Sequence, residues 1–177
     1  MNYSAIKYND IANGTGVRTV LFVSGCTHHC RGCFQPETWD FKAGKPFTER
    51  TIRDILTSLE HDYIEGLTLL GGEPMEPDNQ RSLLVLLRKV KEKFPKKNIW
   101  CYTGYTYESD LLDPKSPVHT EATDEFLSYV DILVDGEFIE EEKDLTLEFR
   151  GSRNQRILHL SRQRRGGSIA HTQGDFS

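Results

Sequence analysis

Long apolar runs are missing from this sequence, and so is any excess of positive charge. No stretch approaches the ~20 apolar residues that a membrane-spanning helix needs, and the N-terminal residues show no charged-then-apolar signal pattern. A soluble, cytoplasmic protein with no membrane attachment is expected. The chain sets 22 Lys and Arg against 27 Asp and Glu, a formal net charge of −5, which argues against a general nucleic-acid binder. Cysteine is scarce as well. Four in 177 residues, three of them clustered, suit a reducing compartment better than a disulfide scaffold. No internal repeat is evident, and the length suits one domain able to bury a proper core.

What is present gathers around Gly25-Cys26-Thr27-His28-His29-Cys30-Arg31-Gly32-Cys33-Phe34. Cysteines at C-x3-C-x2-C spacing can bring three thiolates to one inorganic centre. A structural zinc needs four ligands in a closed tetrahedron, and cysteine-held iron–sulfur clusters usually carry four as well. Three thiolates on a cubane leave one iron open to a small molecule. From the loop alone, a zinc knuckle completed by His28, His29 or Cys101 stays open. A redox pair at Cys30 and Cys33 does not account for Cys26. Cys101 lies in a strand-like run and reads as a small buried hydrophobe. His28 and His29 read as exposed polar residues, with hydrogen bonding to cluster sulfur as the alternative.

The rest of the chain alternates strands and helices. Val17–Ser24 reads as a buried strand after the glycine-rich turn 13–16. Thr48 is placed to cap a helix carrying Ile52, Ile55, Leu56 and Leu59 on one face. Leu67–Leu70 reads as a strand ending in Gly71-Gly72-Glu73-Pro74. A helix from Asp78 or Asn79 follows, with Leu83, Leu86, Leu87, Val90 and Phe94 as its apolar stripe. Then come strand Asn98–Thr103, helix Asp124–Tyr129, and strands Asp131–Asp135 and Ile157–Leu160. This alternation predicts an α/β fold with parallel βαβ units. Residues 161–177, rich in Arg, Gly, Ser and Gln, are expected to form a flexible tail beyond a domain of residues 1–160.

The cysteine spacing resembles the cluster motif of radical S-adenosylmethionine (SAM) enzymes. More narrowly, most of the chain is similar to the activating proteins of anaerobic (class III) ribonucleotide reductase. The similarity rests on residues 13–18, 21–26, Gly71-Gly72-Glu73-Pro74, 100–105, Val134-Asp135-Gly136 and Arg150-Gly151-Ser152, in family order. Gly32, where the wider superfamily usually has an aromatic, agrees with the activating branch.

The resemblance implies an open, partial (β/α) barrel of the radical SAM type with a mainly parallel sheet. It implies one [4Fe-4S] cluster held by Cys26, Cys30 and Cys33, and SAM chelated at the open iron. Gly71, Gly72 and Glu73 would meet the amino group of the methionine moiety. Gly32 and Phe34, beside Cys33, would give backbone contacts to the adenosyl part, with Phe34 or Trp39 replacing the missing stacking surface. Thr103-Gly104-Tyr105 and Asp135-Gly136 are candidates for ribose contacts or the cavity floor. Arg150-Gly151-Ser152, with Asn154 and Gln155, reads as a partner contact or a structural tie. Reductive SAM cleavage would give a 5′-deoxyadenosyl radical that takes hydrogen from a glycine in the large reductase subunit. An electron donor protein such as a flavodoxin is implied, and no side-chain acid or base is needed. The alternatives are an activating enzyme for a formate-lyase type partner and a non-catalytic zinc-binding module.

Overall fold

The structure, a computed structural model, describes residues 1–167. Seven strands form one mixed sheet: β1 (Asn2–Asp10), β2 (Val17–Val23), β3 (Lys45–Pro46), β4 (Ile64–Gly71), β5 (Asn98–Tyr102), β6 (Ile132–Asp135) and β7 (Arg156–His159). Their order across the sheet is β3-β1-β2-β4-β5-β6-β7. The pairs β2–β4, β4–β5 and β5–β6 are parallel, as the strand–helix alternation predicts. The outer pairs β1–β2, β1–β3 and β6–β7 are antiparallel. The sheet is therefore mixed, and parallel only in its middle.

Each departure has an identifiable cause. The β1 sequence NYSAIKYND is mostly half-buried or exposed, so it carries little apolar patterning and joins the sheet mainly through its backbone. Between β6 and β7 the chain makes only the short 3₁₀ turn Glu140–Glu142. Without a helix to carry the chain back along the sheet, β7 returns antiparallel.

Helices α1 (Glu49–Ser58), α2 (Pro77–Lys93) and α3 (Thr123–Tyr129) pack on one face of the sheet. Thr48 caps α1 as expected: its hydroxyl accepts from Thr51 N–H, while the Thr51 hydroxyl accepts from Thr48 N–H. Ile52, Ile55 and Leu59 of the first helical segment meet Leu83, Leu86, Leu87 and Val90 of α2, with Leu21, Leu67, Leu69 and Leu133 from the strands. Lys89, Lys91 and Lys93 pair with Glu49, Asp131 and Glu60, which accounts for them structurally. Leu160–Arg164 form a short helix, α4. Arg164 donates to the Leu127 and Val130 carbonyls, so the chain stays docked past residue 160. The remainder of the expected tail, residues 168–177, lies outside the described residues.

The opposite face of the sheet is more polar. Arg18, fully buried at the start of β2, donates to the Thr68 hydroxyl at 2.7 Å and to the carbonyls of Thr15, Leu67 and Asn98 at 3.0–3.2 Å. Its guanidinium also lies over the Trp100 ring at 5.6 Å. Burial lowers its pKa to about 10, against the nearby charges of Glu65, Asp131 and Asp10. Arg18 thus fastens the 13–16 turn beneath β2, β4 and β5. A Lys ammonium cannot reproduce this planar fork. Arg18→Lys is expected to cost about 1.5–3 kcal/mol of stability, measured by urea denaturation.

Candidate active site

The parallel strands β2, β4 and β5 all end at the same edge of the sheet, where α/β folds place their ligands. The cysteine loop leaves β2 there, and Gly71-Gly72-Glu73-Pro74 ends β4. They border a cavity of about 680 Å3 on the face away from the helices, a size suited to a small-molecule ligand. Phe22, Leu70, Tyr102 and Val134 form its floor. The 13–16 turn reaches this cavity through Asn13, with Ala12 beside it, from the end of β2 opposite the cysteines.

Cys26, Cys30 and Cys33 line the cavity together with Phe34, Gly71, Gly72 and Glu73. Gly32 is not in its wall: it is exposed, with φ +73°, and a Cβ there would meet the Glu140 carboxylate. All three thiols are free. Among the described residues no three His, Cys, Asp or Glu side chains converge closely enough for a single metal ion. Sulfurs spread around one space fit a polynuclear cluster. The thiols also fit such a charge: burial, then Glu73 and Glu76, pushes Cys26 up to about 12 against backbone hydrogen bonds from His28 and His29. Burial and Glu137 push Cys30 up to about 11. Thiolates here call for a cationic centre to hold them.

The glycine pair has a role beyond leaving room for a ligand. Gly71 has φ +110°, and a Cβ there would lie 2.7 Å from Val23 N. A Cβ on Gly72 would lie 2.6 Å from the Gly25 carbonyl oxygen and 3.0 Å from that of Thr38. The absent side chains let the β4 turn pack directly on the backbone of the cysteine loop. Gly72 N–H donates to Val23 O and Glu73 N–H to Gly25 O, both at 2.8 Å. With its N–H engaged, what Gly72 has to offer an amino group is its carbonyl.

Glu73 acts through its side chain as well, which the sequence does not announce. It is 1% exposed. Its carboxylate accepts from Gly104 N–H at 2.7 Å, from Met75 N–H at 2.8 Å and pairs with His28 Nε2 at 3.0 Å. His28 is therefore not a plain exposed polar residue. It is largely buried, its ring lies 4.3 Å from the Tyr105 ring and pairs with Glu73, and its backbone N–H, with that of His29, hydrogen-bonds the Cys26 thiol. Burial acts to lower its pKa, but the Glu73 hydrogen bond and the charges of Glu73, Glu137 and Glu76 prevail and raise it. His29, with φ 51°, stacks on Trp39 at 4.4 Å. Glu76, which the sequence gives no reason to single out, accepts from Thr27 N–H and the Thr27 hydroxyl. The turn after β4 thus grips the cysteine loop twice, through Glu73–His28 and Glu76–Thr27.

The remaining candidates divide. Thr103, Gly104 and Gly136 line the cavity. Asp135 is buried and bound by Arg156 and Tyr107 N–H, so it is a structural anchor. Arg150 and Gly151 line the far wall, where Arg150 donates to Gln155 O and the Gln155 side chain binds Gly151 and Ser152 N–H. Phe34 leans on Phe138 at 5.2 Å from this wall. Cys101 is fully buried in the main core, as expected. Among the described residues the buried Tyr102 hydroxyl has no hydrogen-bond partner, and nothing in its strand signalled that.

Comparison with known proteins agrees with this geometry. Residues 12–158 match the family described as a 4Fe-4S single cluster domain. A protein of Pasteurella multocida is 42% identical over 163 residues, covering 91% of this chain and 99% of that protein. One of Enterobacteria phage T4 is 42% identical over 159 residues, covering 89% and 93%. One of Escherichia coli K12 is 38% identical over 162 residues, covering 90% and 99%. Each is named anaerobic ribonucleoside-triphosphate reductase-activating protein. Cysteines gathered at the strand ends, on a chain matched almost from end to end, make this protein a member of the anaerobic ribonucleoside-triphosphate reductase-activating family.

Proposed function

We propose that this protein activates an anaerobic ribonucleoside-triphosphate reductase by generating a glycyl radical on its large subunit, and that Cys26, Cys30 and Cys33 hold the [4Fe-4S] cluster for it. Bound together, the cluster and SAM supply one-electron reductive cleavage of the sulfonium, the chemistry no side chain provides. The observation that carries the reading is one cavity walled by three free thiols and by the Gly71-Gly72-Glu73 turn.

The protein's own work is binding, orientation and exclusion of water. Cys26, Cys30 and Cys33 would hold the cluster as thiolates, with one coordination position kept for the ligand. The Gly72 carbonyl faces the role of amino-group acceptor, with Gly71 and Glu73 holding it in place. Cys33 and Phe34 approach the adenosyl end, and Gly32 contributes by letting the loop turn at positive φ. In this reading the mixed sheet is an open, partial (β/α) barrel of the radical SAM type. Residues 1–160 are the catalytic domain, with α4 docked at its end. The open side of the cavity admits the partner's glycine loop, since reacting atoms must come within about 3–3.5 Å. A flavodoxin-like protein donates the electron, and the setting is the cytoplasm, consistent with the absence of any long apolar helix among the described residues.

The test is anaerobic mixing of reduced, reconstituted protein with SAM and the large reductase subunit, followed by electron paramagnetic resonance. A glycyl radical on the large subunit is expected. SAM cleavage with no radical on the reductase would send the assignment to another glycyl-radical partner.

A further inference from the structure

Glu73 and Glu76 are 1% and 5% exposed, and both stand at the root of the cysteine loop. Glu76 Oε1 accepts from Thr27 N–H at 2.8 Å, from the Thr27 hydroxyl at 2.6 Å and from the Tyr105 hydroxyl at 3.4 Å. The only ionic partner of Glu73 among the described residues is His28, and no Lys or Arg reaches Glu76. Thr27, the residue that Glu76 holds, directly follows Cys26.

Hydrogen bonds from neutral donors orient a carboxylate without cancelling its charge. A buried negative charge that no cation offsets opposes the arrival of an electron at a redox centre beside it, and low-dielectric surroundings lengthen its reach. Cluster potentials respond to net charge, hydrogen bonding and burial in this way.

We propose that Glu76 sets the reducing power of the cluster: its buried, uncompensated charge makes the bound cluster harder to reduce and, once reduced, a stronger one-electron donor. Glu76 touches neither thiolate nor cavity, so it is a tuning and positioning residue that acts through Thr27 and through space. The inference rests on the cluster assignment made above.

The experiment is a dithionite titration of the SAM-free, cluster-loaded protein, with redox mediators and detection of the reduced cluster by electron paramagnetic resonance. Glu76→Gln keeps an oxygen for Thr27 and removes the charge, so its midpoint potential is expected to shift positive with iron content unchanged. Thr27→Val takes a donor from the same carboxylate and leaves its charge less compensated, so its potential is expected to shift negative. Equal potentials in all three proteins, or a positive shift in Thr27→Val, overturn the inference. If Glu76→Gln takes up no cluster, Thr27→Val alone decides, a negative shift supporting the proposal and an equal or positive one overturning it. Wild-type protein without a reducible cluster would instead overturn the proposed function, and this inference with it.

Discussion

Alanine at any one of Cys26, Cys30 or Cys33 is expected to drop iron from about four per chain to below about one after anaerobic reconstitution, because a cubane with three protein thiolates has none to spare. SAM cleavage should disappear with it. The three substitutions should behave alike, since each thiol borders the same cavity. Cys101→Ala is the control. Cys101 is fully buried among Leu69, Ile99 and Leu133 in the main core. Its loss should cost about 1 kcal/mol of stability and leave the iron content intact. Iron loss in Cys101→Ala, with retention in Cys26→Ala, would reverse the assignment.

The second large effect is expected at Gly72. Alanine there places a Cβ 2.6 Å from Gly25 O and 3.0 Å from Thr38 O, both backbone atoms that no side-chain rotation can move. The cysteine loop must shift, and the Gly72–Val23 and Glu73–Gly25 hydrogen bonds at 2.8 Å must lengthen. Overpacking of this kind costs about 1–3 kcal/mol. Were that whole cost to fall on the ligand-bound state, SAM binding would weaken by roughly five- to over 100-fold at 1.4 kcal/mol per factor of ten. Calorimetric titration of SAM into cluster-loaded Gly72→Ala, beside thermal unfolding, separates the two effects. An affinity equal to wild type would show that this turn does not bear on the ligand.

Much of this architecture is legible in the residues. The strands β2, β4, β5 and β6 are short apolar runs stopped by glycine or polar residues, and the helices between them carry clear apolar stripes. α1 begins where expected because its Thr48 cap acts locally, whereas β4 starts at Ile64, three residues before the expected Leu67. The antiparallel margins were not legible. β1 is held through backbone pairing with β2 and lacks a buried face, so hydrophobic periodicity has nothing to report. The direction of β7 depends on what crosses between residues 136 and 155, which is a tertiary matter.

The site divides along the same line. Cysteine spacing and the Gly-Gly turn are local patterns and stand out at once. The carboxylate grips do not, because Glu73–His28 and Glu76–Thr27 join residues 45 and 49 positions apart. Nothing in the sequence tells a buried glutamate from an exposed one at those sites. The missing β-carbons at Gly71 and Gly72 point to close approach, and the chain's own backbone at Val23 and Gly25 is one of the things that approaches.

The proposed function stands on SAM's amino group meeting an open iron beside the Gly72 carbonyl. The direct measurement is electron–nuclear double resonance on the reduced, cluster-loaded protein with SAM carrying nitrogen-15 at the amino position. A resolved coupling between that nitrogen and the cluster is the predicted result. A cluster signal with no such coupling, under conditions where SAM is bound, would contradict the account.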